Sequence, residues 1–389
     1  MDEAQQLLAY LQGEQAEMIA FLEALARAES PSTEPSTQAA VQVMLRERLE
    51  AVGFVVELIP GEKSGGHLYA RPAASRERGP RQLLLGHTDT VWPRGTLADM
   101  PVAVEGDRIA GPGVYDMKAG LVQMVFALRA LDALGLKPTV APELFLNSDE
   151  EVGSGESTPH IRRLAAEAER VFVLEPSLGT AGKLKTARKG VGYFRIHLQG
   201  KAAHAGLAPE EGRSAILALA HVIQQLDALN DPSAGITVNV GTVAGGLRAN
   251  VVAAGARAEV DVRVPDQAGA ERVTAALEKL NVKTPGVTLT VTGAIDRPPL
   301  ERTARNRALW RLARSLGRQL GVELEEGSAG GGSDGNTASQ YAATLDGLGA
   351  VGDGAHAAHE FVFIESLAER AALLALLLLS PSLGGSKGV

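Results

Sequence analysis

The stretch Leu83-Leu84-Leu85-Gly86-His87-Thr88-Asp89-Thr90 joins a short apolar run to a histidine and an aspartate. Two later stretches repeat the pattern: Leu144-Phe145-Leu146-Asn147-Ser148 precedes Asp149-Glu150-Glu151, and Val171-Phe172-Val173-Leu174 precedes Glu175. Short apolar runs of this kind are typical of buried strands. Because ligands in open α/β sheets bind beyond the carboxyl ends of the strands, these polar residues are predicted to gather at one edge of a sheet.

Helical patterns alternate with these strands. The sequence predicts helices over 116–136 and 159–168, and further strands over 54–59 and 67–70. The first ~28 residues carry leucines at helical spacing and are predicted to form one amphipathic helix, followed after a Ser/Pro/Thr-rich break by a second helix near 41–52. This alternation indicates an α/β domain whose sheet has helices on both faces.

The region 189–298 has a different order of elements. A strand over 191–198, a helix over 214–229, strands over 236–240 and 257–264, a helix over 268–280 and a strand over 287–291 are predicted. The order β-α-β-β-α-β is that of a small ferredoxin-like α+β domain. Helix and strand patterns like those of 1–188 resume at Arg302. We therefore expect an inserted domain, 189–298, within a discontinuous domain formed by 1–188 and 299–389.

Composition narrows the class of protein. The 389 residues carry 38 basic and 46 acidic side chains, a net charge of −8, which argues against a nucleic-acid or anionic-membrane partner. With no cysteine, any metal must be held by His, Asp and Glu. The start has no signal-peptide pattern, and the most apolar run, 371–379, is far shorter than the ~20 residues of a membrane span. We therefore expect a soluble cytoplasmic protein.

Each polar motif is weak by itself, because an Asp-Glu-Glu is commonly a solvated turn and an Asp before a helix is commonly an N-cap. Together they supply the His, Asp and Glu ligands that zinc accepts without thiolate. The turn Gly111-Pro112-Gly113-Val114-Tyr115-Asp116 adds a further carboxylate at the start of a helix. The spacing of His87 and Asp89 suits a carboxylate that orients a metal-bound imidazole.

From 83 to 361 the chain resembles, in motif order, the di-zinc metallopeptidase and deacylase family of bacterial glutamate carboxypeptidase, acetylornithine deacetylase, succinyl-diaminopimelate desuccinylase and aminoacylase. The resemblance includes Gly200-Lys201-Ala202-Ala203-His204-Ala205-Gly206 in the inserted domain. It implies a mixed-sheet zinc-exopeptidase catalytic domain with an inserted lid and dimerisation domain. It also implies two Zn²⁺ per chain, with Co²⁺ or Mn²⁺ as possible substitutes.

The resemblance implies a role for each ligand. The implied metal ligands are His87, Asp116, Glu151, Glu175 and His356. Asp116 resembles the carboxylate that bridges both ions, and the family's peptide bond after it, here Asp116–Met117, is cis. Glu175 then lies beside His87, and Glu151 beside His356. His356 is preferred to His359 because the family pattern places three residues between the histidine and a glutamate, which matches His356 and Glu360.

Further residues are implied to act in catalysis or to bind substrate. Glu150 resembles the general base, Asp89 the partner of His87, and His204 the residue that reaches across a homodimer to the developing oxyanion. Asn250, Arg263 and Gly331 resemble substrate-binding positions, the first two on the lid and the third in the Gly330-Gly331-Gly332-Ser333-Asp334 loop. For Arg263 a plain surface salt bridge remains an alternative.

The predicted activity is hydrolysis of an amide bond that releases an amino acid with a free α-carboxylate. Within the family, the stretch Leu184-Lys185-Thr186-Ala187-Arg188-Lys189-Gly190-Val191-Gly192 and the pair Arg297-Pro298 resemble the glutamate carboxypeptidase group, which implies a carboxypeptidase acting on small peptides. An N-acyl-amino-acid deacylase with the same metal centre is the alternative, because only the pocket would differ. A binding protein on an inactive enzyme scaffold is disfavoured, since no expected ligand is missing.

Overall fold

The structure is a computed structural model that describes residues 2–74 and 79–382. Its helices in this part of the chain are α1 (Glu3–Gly13), α2 (Gln15–Arg27), α3 (Ala39–Ala51), α4 (Ala119–Ala133), α5 (Thr158–Glu167), α6 (Ala215–Asp227), α7 (Gln267–Glu278), α8 (Ala304–Gln319), α9 (Asp334–Ala338) and α10 (Ile364–Leu379). None of these helices is long and apolar enough to cross a membrane.

The strands fall into several sheets. They are β1 (Phe54–Ile59), β2 (His67–Pro72), β3 (Arg81–His87), β4 (Ala103–Glu105), β5 (Arg108–Ala110), β6 (Ala141–Asn147), β7 (Arg170–Val173), β8 (Leu184–Arg188), β9 (Gly190–Gln199), β10 (Thr237–Gly245), β11 (Gly255–Val264), β12 (Thr288–Arg297), β13 (Glu326–Ala329), β14 (Ala343–Leu345), β15 (Gly352–Asp353) and β16 (Phe361–Phe363).

The described residues form two compact units. The first covers the described parts of Met1–Thr186, Arg302–Ser328 and Ser333–Val389, and the second covers Ala187–Glu301 and Ala329–Gly332. The predicted inserted segment, 189–298, therefore lies within the second unit. Residues 329–332 also belong to that unit, where Lys189 donates its backbone N–H to the Ala329 carbonyl oxygen at 3.0 Å.

The first unit is built on a mixed six-stranded sheet with the order β1-β2-β6-β3-β7-β14. The strands β6, β3, β7 and β14 run parallel, whereas β1 and β2 pair antiparallel at the other side. In the parallel register His87 lies opposite Asn147, and Leu85 lies opposite Val173. The carboxyl ends of β3, β6 and β7 therefore meet at one edge, as the sequence predicted.

Alternate residues along these strands face two separate apolar cores. Leu84, Leu144 and Phe172 belong to a core shared with α1–α4, α8 and α10, whereas Leu83 and Phe145 belong to a smaller core with α5. Helices thus cover both faces of the parallel strands, and nearly every residue of β3, β6 and β7 is buried. The mixed α/β architecture confirms the predicted fold class.

The second unit has the predicted order β-α-β-β-α-β, here β9-α6-β10-β11-α7-β12, and its sheet order is β10-β11-β9-β12. All neighbouring pairs are antiparallel. Along β9 the side chains alternate between buried, such as Phe194 and Ile196, and exposed, such as Arg195 and His197. One sheet face packs on α6 and α7, which gives the period-2 pattern expected of a half-covered sheet.

Two local predictions were wrong. The first residues form two helices instead of one, since α1 ends at Gly13 and α2 begins at Gln15. Glycine is a poor helix former, and the following Glu14 has φ −91° and ψ 0°, which breaks the run. The helix predicted from 116 begins at Ala119, because 114–118 forms an irregular turn with non-helical angles at Asp116 and Met117. The predicted loose tail, 380–389, lies mostly outside the described residues.

Candidate metal centre

His87 ends β3 and points both ring nitrogens at acceptors. Its Nδ1 lies 2.9 Å from the Asp89 carbonyl oxygen, and its Nε2 lies 3.3 Å from Asp116 Oδ1 and 3.5 Å from Glu175 Oε1. A carbonyl oxygen only accepts, so Nδ1 is the donor, and in the neutral ring Nε2 keeps its lone pair. His87 is 1% exposed. It is therefore oriented as a nitrogen ligand facing two carboxylates.

A second histidine faces the same aspartate from the other side. His356 Nε2 lies 3.5 Å from Asp116 Oδ2 and 3.1 Å from Glu151 Oε2. The two oxygens of Asp116 thus face two different imidazoles, which is the arrangement of a carboxylate shared by two cation positions. His359, the neighbouring histidine, is exposed.

The distances fit divalent cations. Zinc binds nitrogen and oxygen at about 2.0–2.2 Å, so tetrahedral ligands lie roughly 3.3 Å from one another. Ligand atoms of His87, Asp116 and Glu151 lie within 4.8 Å of each other, as do those of His87, Glu150 and Glu175. Glu151 Oε1 is buried and has no hydrogen-bond partner among the described residues, so this oxygen can coordinate a cation. We conclude that the residues present fit a metal centre.

The electrostatics of the cluster favour a cation as well. Hydrogen bonds to Asp116 and Glu151 raise the pKa of His356 to about 10. Burial raises the pKa of Asp116, but its hydrogen bonds with His356 and His87 outweigh burial and hold the pKa below the usual value. Burial also raises the pKa of Glu151. Carboxylates crowded away from water therefore attract positive charge, which bound divalent ions would supply.

Asp89 connects His87 to the loop that carries Glu150 and Glu151. Its Oδ1 accepts the backbone N–H of Glu150 at 3.3 Å, and its Oδ2 accepts that of Glu151 at 3.2 Å. Ser32 donates its hydroxyl to Oδ2 at 2.6 Å. Asp89 is 1% exposed, so these bonds satisfy a buried charge. One side chain therefore aligns the ends of β3 and β6.

The turn that carries Asp116 has the backbone form that the resemblance implied. The Asp116–Met117 peptide bond is cis. Gly113, just before the turn, has φ +73°, and a Cβ there would lie 2.6 Å from the Thr90 side chain, so a glycine is required. The helix α4 follows directly, and its Gly120 packs against the carbonyl oxygen of Leu174, the residue before Glu175.

The remaining predicted site residues belong to the second unit. The segments of His204 and Asn250 are adjacent there, because Ala205 donates its N–H to the Asn250 carbonyl oxygen at 3.0 Å. His204 Nδ1 accepts the backbone N–H groups of Gly206 and Leu207, and the residue is exposed.

Arg263 and Gly331 have partners inside that unit. Arg263 forms a two-point ion pair with Asp261, at 2.8 and 2.7 Å, which is the salt bridge that the sequence left open as an alternative. The carbonyl oxygens of Gly331 and Gly332 accept from Arg188 Nη1 at 3.2 and 3.1 Å.

Sequence reasoning missed the contribution of the segment 30–32. The sequence predicts only a helix break there, yet Pro31 forms a β-bridge with Thr90, and Ser30 donates its hydroxyl to the Thr88 carbonyl oxygen at 2.8 Å. With the Ser32 bond, this segment supports the residues that follow His87. No local pattern reveals the role, because its partners are distant in the sequence.

Comparisons with known proteins show the family. Residues 83–380 match the model of peptidase family M20/M25/M40. The chain is 28% identical to carboxypeptidase G2 of Pseudomonas sp. (strain RS-16), over 95% of this chain and 91% of that protein.

Solved structures with lower identity share the fold. The aminopeptidase PepT of Bacillus cereus superposes with a TM-score of 0.78 at 21% identity, covering 94% of this chain and 98% of the other. A dinuclear metal-binding peptidase of the M20 family from Bacillus subtilis superposes with a TM-score of 0.68 at 15% identity, covering 95% and 98%.

The fold and the grouped His, Asp and Glu ligands define a metal-dependent peptidase. The chain belongs to peptidase family M20/M25/M40.

Proposed function

We propose that the chain is a di-zinc carboxypeptidase that hydrolyses the amide bond before a C-terminal glutamate-type residue of a small peptide. The observation that carries this proposal is the opposed pair of contacts at Asp116, one oxygen facing His87 at 3.3 Å and the other facing His356 at 3.5 Å. The similarity to carboxypeptidase G2 across 95% of the chain supports the substrate class.

Five side chains would hold the two ions. His87 and Glu175 would bind one ion, Glu151 and His356 would bind the other, and Asp116 would bind both. When bound, the ions lower the pKa of a water molecule and polarise the scissile carbonyl. Co²⁺ or Mn²⁺ could replace Zn²⁺, since the same nitrogen and oxygen donors suit these ions.

Glu150 is the general base in this proposal. It takes a proton from the attacking water and returns it to the leaving amine, so the amino acid leaves as a neutral amine rather than an amide anion. Glu150 is 9% exposed, and its carboxylate lies within the group formed with His87 and Glu175. Asp89 holds His87 and the backbone of Glu150 in place.

We assign His204 to the oxyanion that forms on the scissile carbonyl, acting within a homodimer that associates through the inserted domain. Asn250, Arg263 and the Gly331 loop are assigned to the carboxylate of the substrate, for which the planar guanidinium of Arg263 is suited. Arg263 would then share its fork between that carboxylate and Asp261. The cytoplasmic location stays a prediction from the sequence.

A substrate screen tests the proposal. Zinc-loaded protein is incubated with acyl-glutamates, folate analogues, dipeptides and N-acetyl-ornithine, and released amino acid is quantified. The proposal expects free glutamate from the first two groups. Release of acetate from N-acetyl-ornithine without glutamate release from any substrate would instead establish the N-acyl-amino-acid deacylase of the acetylornithine deacetylase or desuccinylase type.

A further inference from the structure

Glu360 is a fully buried carboxylate that accepts four hydrogen bonds. Its Oε2 accepts from Trp92 Nε1 at 2.7 Å and from the Gly113 N–H at 2.9 Å. Its Oε1 accepts from the backbone N–H groups of Tyr115 at 2.9 Å and Asp116 at 3.0 Å. Three of the four donors therefore belong to the turn that presents Asp116.

Strand pairing sets the position of this carboxylate. Phe361 lies opposite Ala110 in the β16–β5 pair, and the ladder continues because Gly111 donates its N–H to the Glu360 carbonyl oxygen at 3.2 Å. On the other side, a Cβ on Gly354 would lie 2.8 Å from Glu360 Cα, so the chain turns tightly there. Both the backbone and the side chain of Glu360 therefore hold the 111–116 segment.

The same residue joins three segments that carry proposed ligands. Trp92 follows β3 and His87, the 113–116 turn carries Asp116, and Glu360 itself follows His356 in the loop between β15 and β16. A buried carboxylate that receives four donors has nearly all its acceptor capacity in use. It satisfies turn N–H groups that would otherwise be buried without partners.

We propose that Glu360 is a positioning residue of the hydrolase, which fixes the 113–116 turn so that each oxygen of Asp116 faces its own metal position. The inference rests on the proposed function, because it assigns Glu360 to the two-metal site. Glu360 does not touch substrate or metal; it acts through the backbone of Asp116. The effect of changing it must therefore appear on both ions together, since both share Asp116.

Glutamine is the informative replacement. Glu360→Gln keeps the shape of the side chain but has one acceptor oxygen, and its NH₂ group would face N–H donors of the turn or of Trp92. Both oxygens of Glu360 serve as acceptors in the wild-type arrangement, because each of them receives two N–H donors. The variant removes acceptors without leaving a cavity.

The measurement is zinc affinity, made on metal-free protein by competition with a chromophoric zinc chelator. Loss of a residue that orients metal ligands typically weakens metal affinity about 10–100-fold, and we expect Glu360→Gln to weaken both zinc sites within that range. The visible absorption of the Co²⁺-loaded variant should also differ from wild type, because the geometry at Asp116 changes. Far-UV circular dichroism establishes that the variant is folded.

Asp231→Asn is the matched control. Asp231 accepts from Ser233 Oγ at 2.6 Å, Ala234 N at 3.0 Å and Arg272 Nη2 at 3.0 Å, and it lies in the second unit, which carries none of the proposed metal ligands. Like Glu360→Gln, Asp231→Asn replaces a carboxylate that accepts several hydrogen bonds in a loop. Zinc affinity is nevertheless expected to stay at the wild-type value. If both variants lose affinity equally, the effect is general destabilisation and the proposal fails.

Other results decide the remaining cases. If folded Glu360→Gln has wild-type zinc affinity and an unchanged Co²⁺ spectrum, the inference is overturned. It is also overturned if the zinc affinity falls at only one of the two sites. If Glu360→Gln does not fold, Trp92→Phe removes one of the four donors, and a several-fold loss at both sites is expected, whereas no loss overturns the proposal. Wild-type protein that takes up no zinc refutes the proposed function, a result distinct from all of these.

Discussion

His356 Nε2 lies 3.1 Å from Glu151 Oε2, although the two residues come from distant parts of the first unit's sequence. His356 has φ +60°, an unusual conformation for a residue other than glycine, in the loop between β15 and β16. Glu151 follows β6 and its backbone N–H is held by Asp89. Packing therefore brings together two proposed metal ligands that no local interaction would join.

Glu150 and Glu151 should respond differently to the same replacement. Glu150→Gln is expected to lower turnover about 10²–10⁴-fold, as for loss of a general base, with metal content unchanged. Glu151→Gln should lower zinc content, because a ligand oxygen is replaced. Steady-state kinetics and metal analysis of both variants check this. Full turnover in Glu150→Gln would exclude it as the base.

Removing the metal should abolish activity and lower the melting temperature. A ligand that binds only the folded state at 100 times its Kd stabilises it by about 2.7 kcal/mol. Dialysis against a chelator, followed by thermal unfolding and assay with and without added Zn²⁺, measures both effects. Mg²⁺, which prefers octahedral oxygen ligands, serves as the control ion. Activity that persists in metal-free protein would contradict the mechanism.

Asp89→Asn should weaken zinc binding or activity about 10–100-fold, because the backbone N–H groups of Glu150 and Glu151 lose a charged acceptor, and the carboxylate 3.5 Å from His87 Nδ1 loses its charge. Ser32→Ala removes the hydroxyl that lies 2.6 Å from the same carboxylate and 3.2 Å from the Thr90 carbonyl oxygen, and it should have a smaller effect in the same direction. Zinc competition titrations rank the variants. An Asp89→Asn protein with unchanged affinity would show that His87 does not depend on it.

His204→Ala should depress turnover while zinc content stays at the wild-type value, since His204 is assigned to the oxyanion rather than to the metal. Mixing the impaired His204→Ala and Glu150→Gln proteins should restore part of the activity if one site uses residues of two chains. Each variant alone at the same total concentration is the control. The absence of any restored activity in exchanged mixtures would argue against a shared site.

Gly120→Ala should destabilise the first unit, because a Cβ there would overlap the Leu174 carbonyl oxygen and push α4 away from the strand that precedes Glu175. Overpacking typically costs about 1–3 kcal/mol. Gly13→Ala is the matched helical control: among the described residues, no atom outside its chain neighbours and its own helix backbone lies within 4 Å of a Cβ placed there, so it should stabilise by about 0.4–1 kcal/mol. Urea unfolding measures both, and equal stability of the two variants would refute the close approach.

Much of the fold was predictable because its signals are local. The spacing of apolar residues predicts the strand over Phe54–Ile59 and the alternation of buried and exposed side chains along β9. The succession of strand-like and helix-like spacings predicts the β-α-β-β-α-β order of the inserted segment. The break at Gly13 and the irregular turn at 114–118 were not predicted. There, one glycine and a network of long-range hydrogen bonds overrode a helical pattern.

The sequence by itself determined the chemistry available to this protein: no thiol, and histidines and carboxylates placed where strands end. The tertiary structure alone decided which atoms meet, such as the two oxygens of Asp116 with two imidazoles and the carboxylate of Glu360 with the turn N–H groups. The physical reason is range. Strand and helix formation depend on neighbours along the chain, whereas these contacts depend on sheet register and on the packing of distant loops.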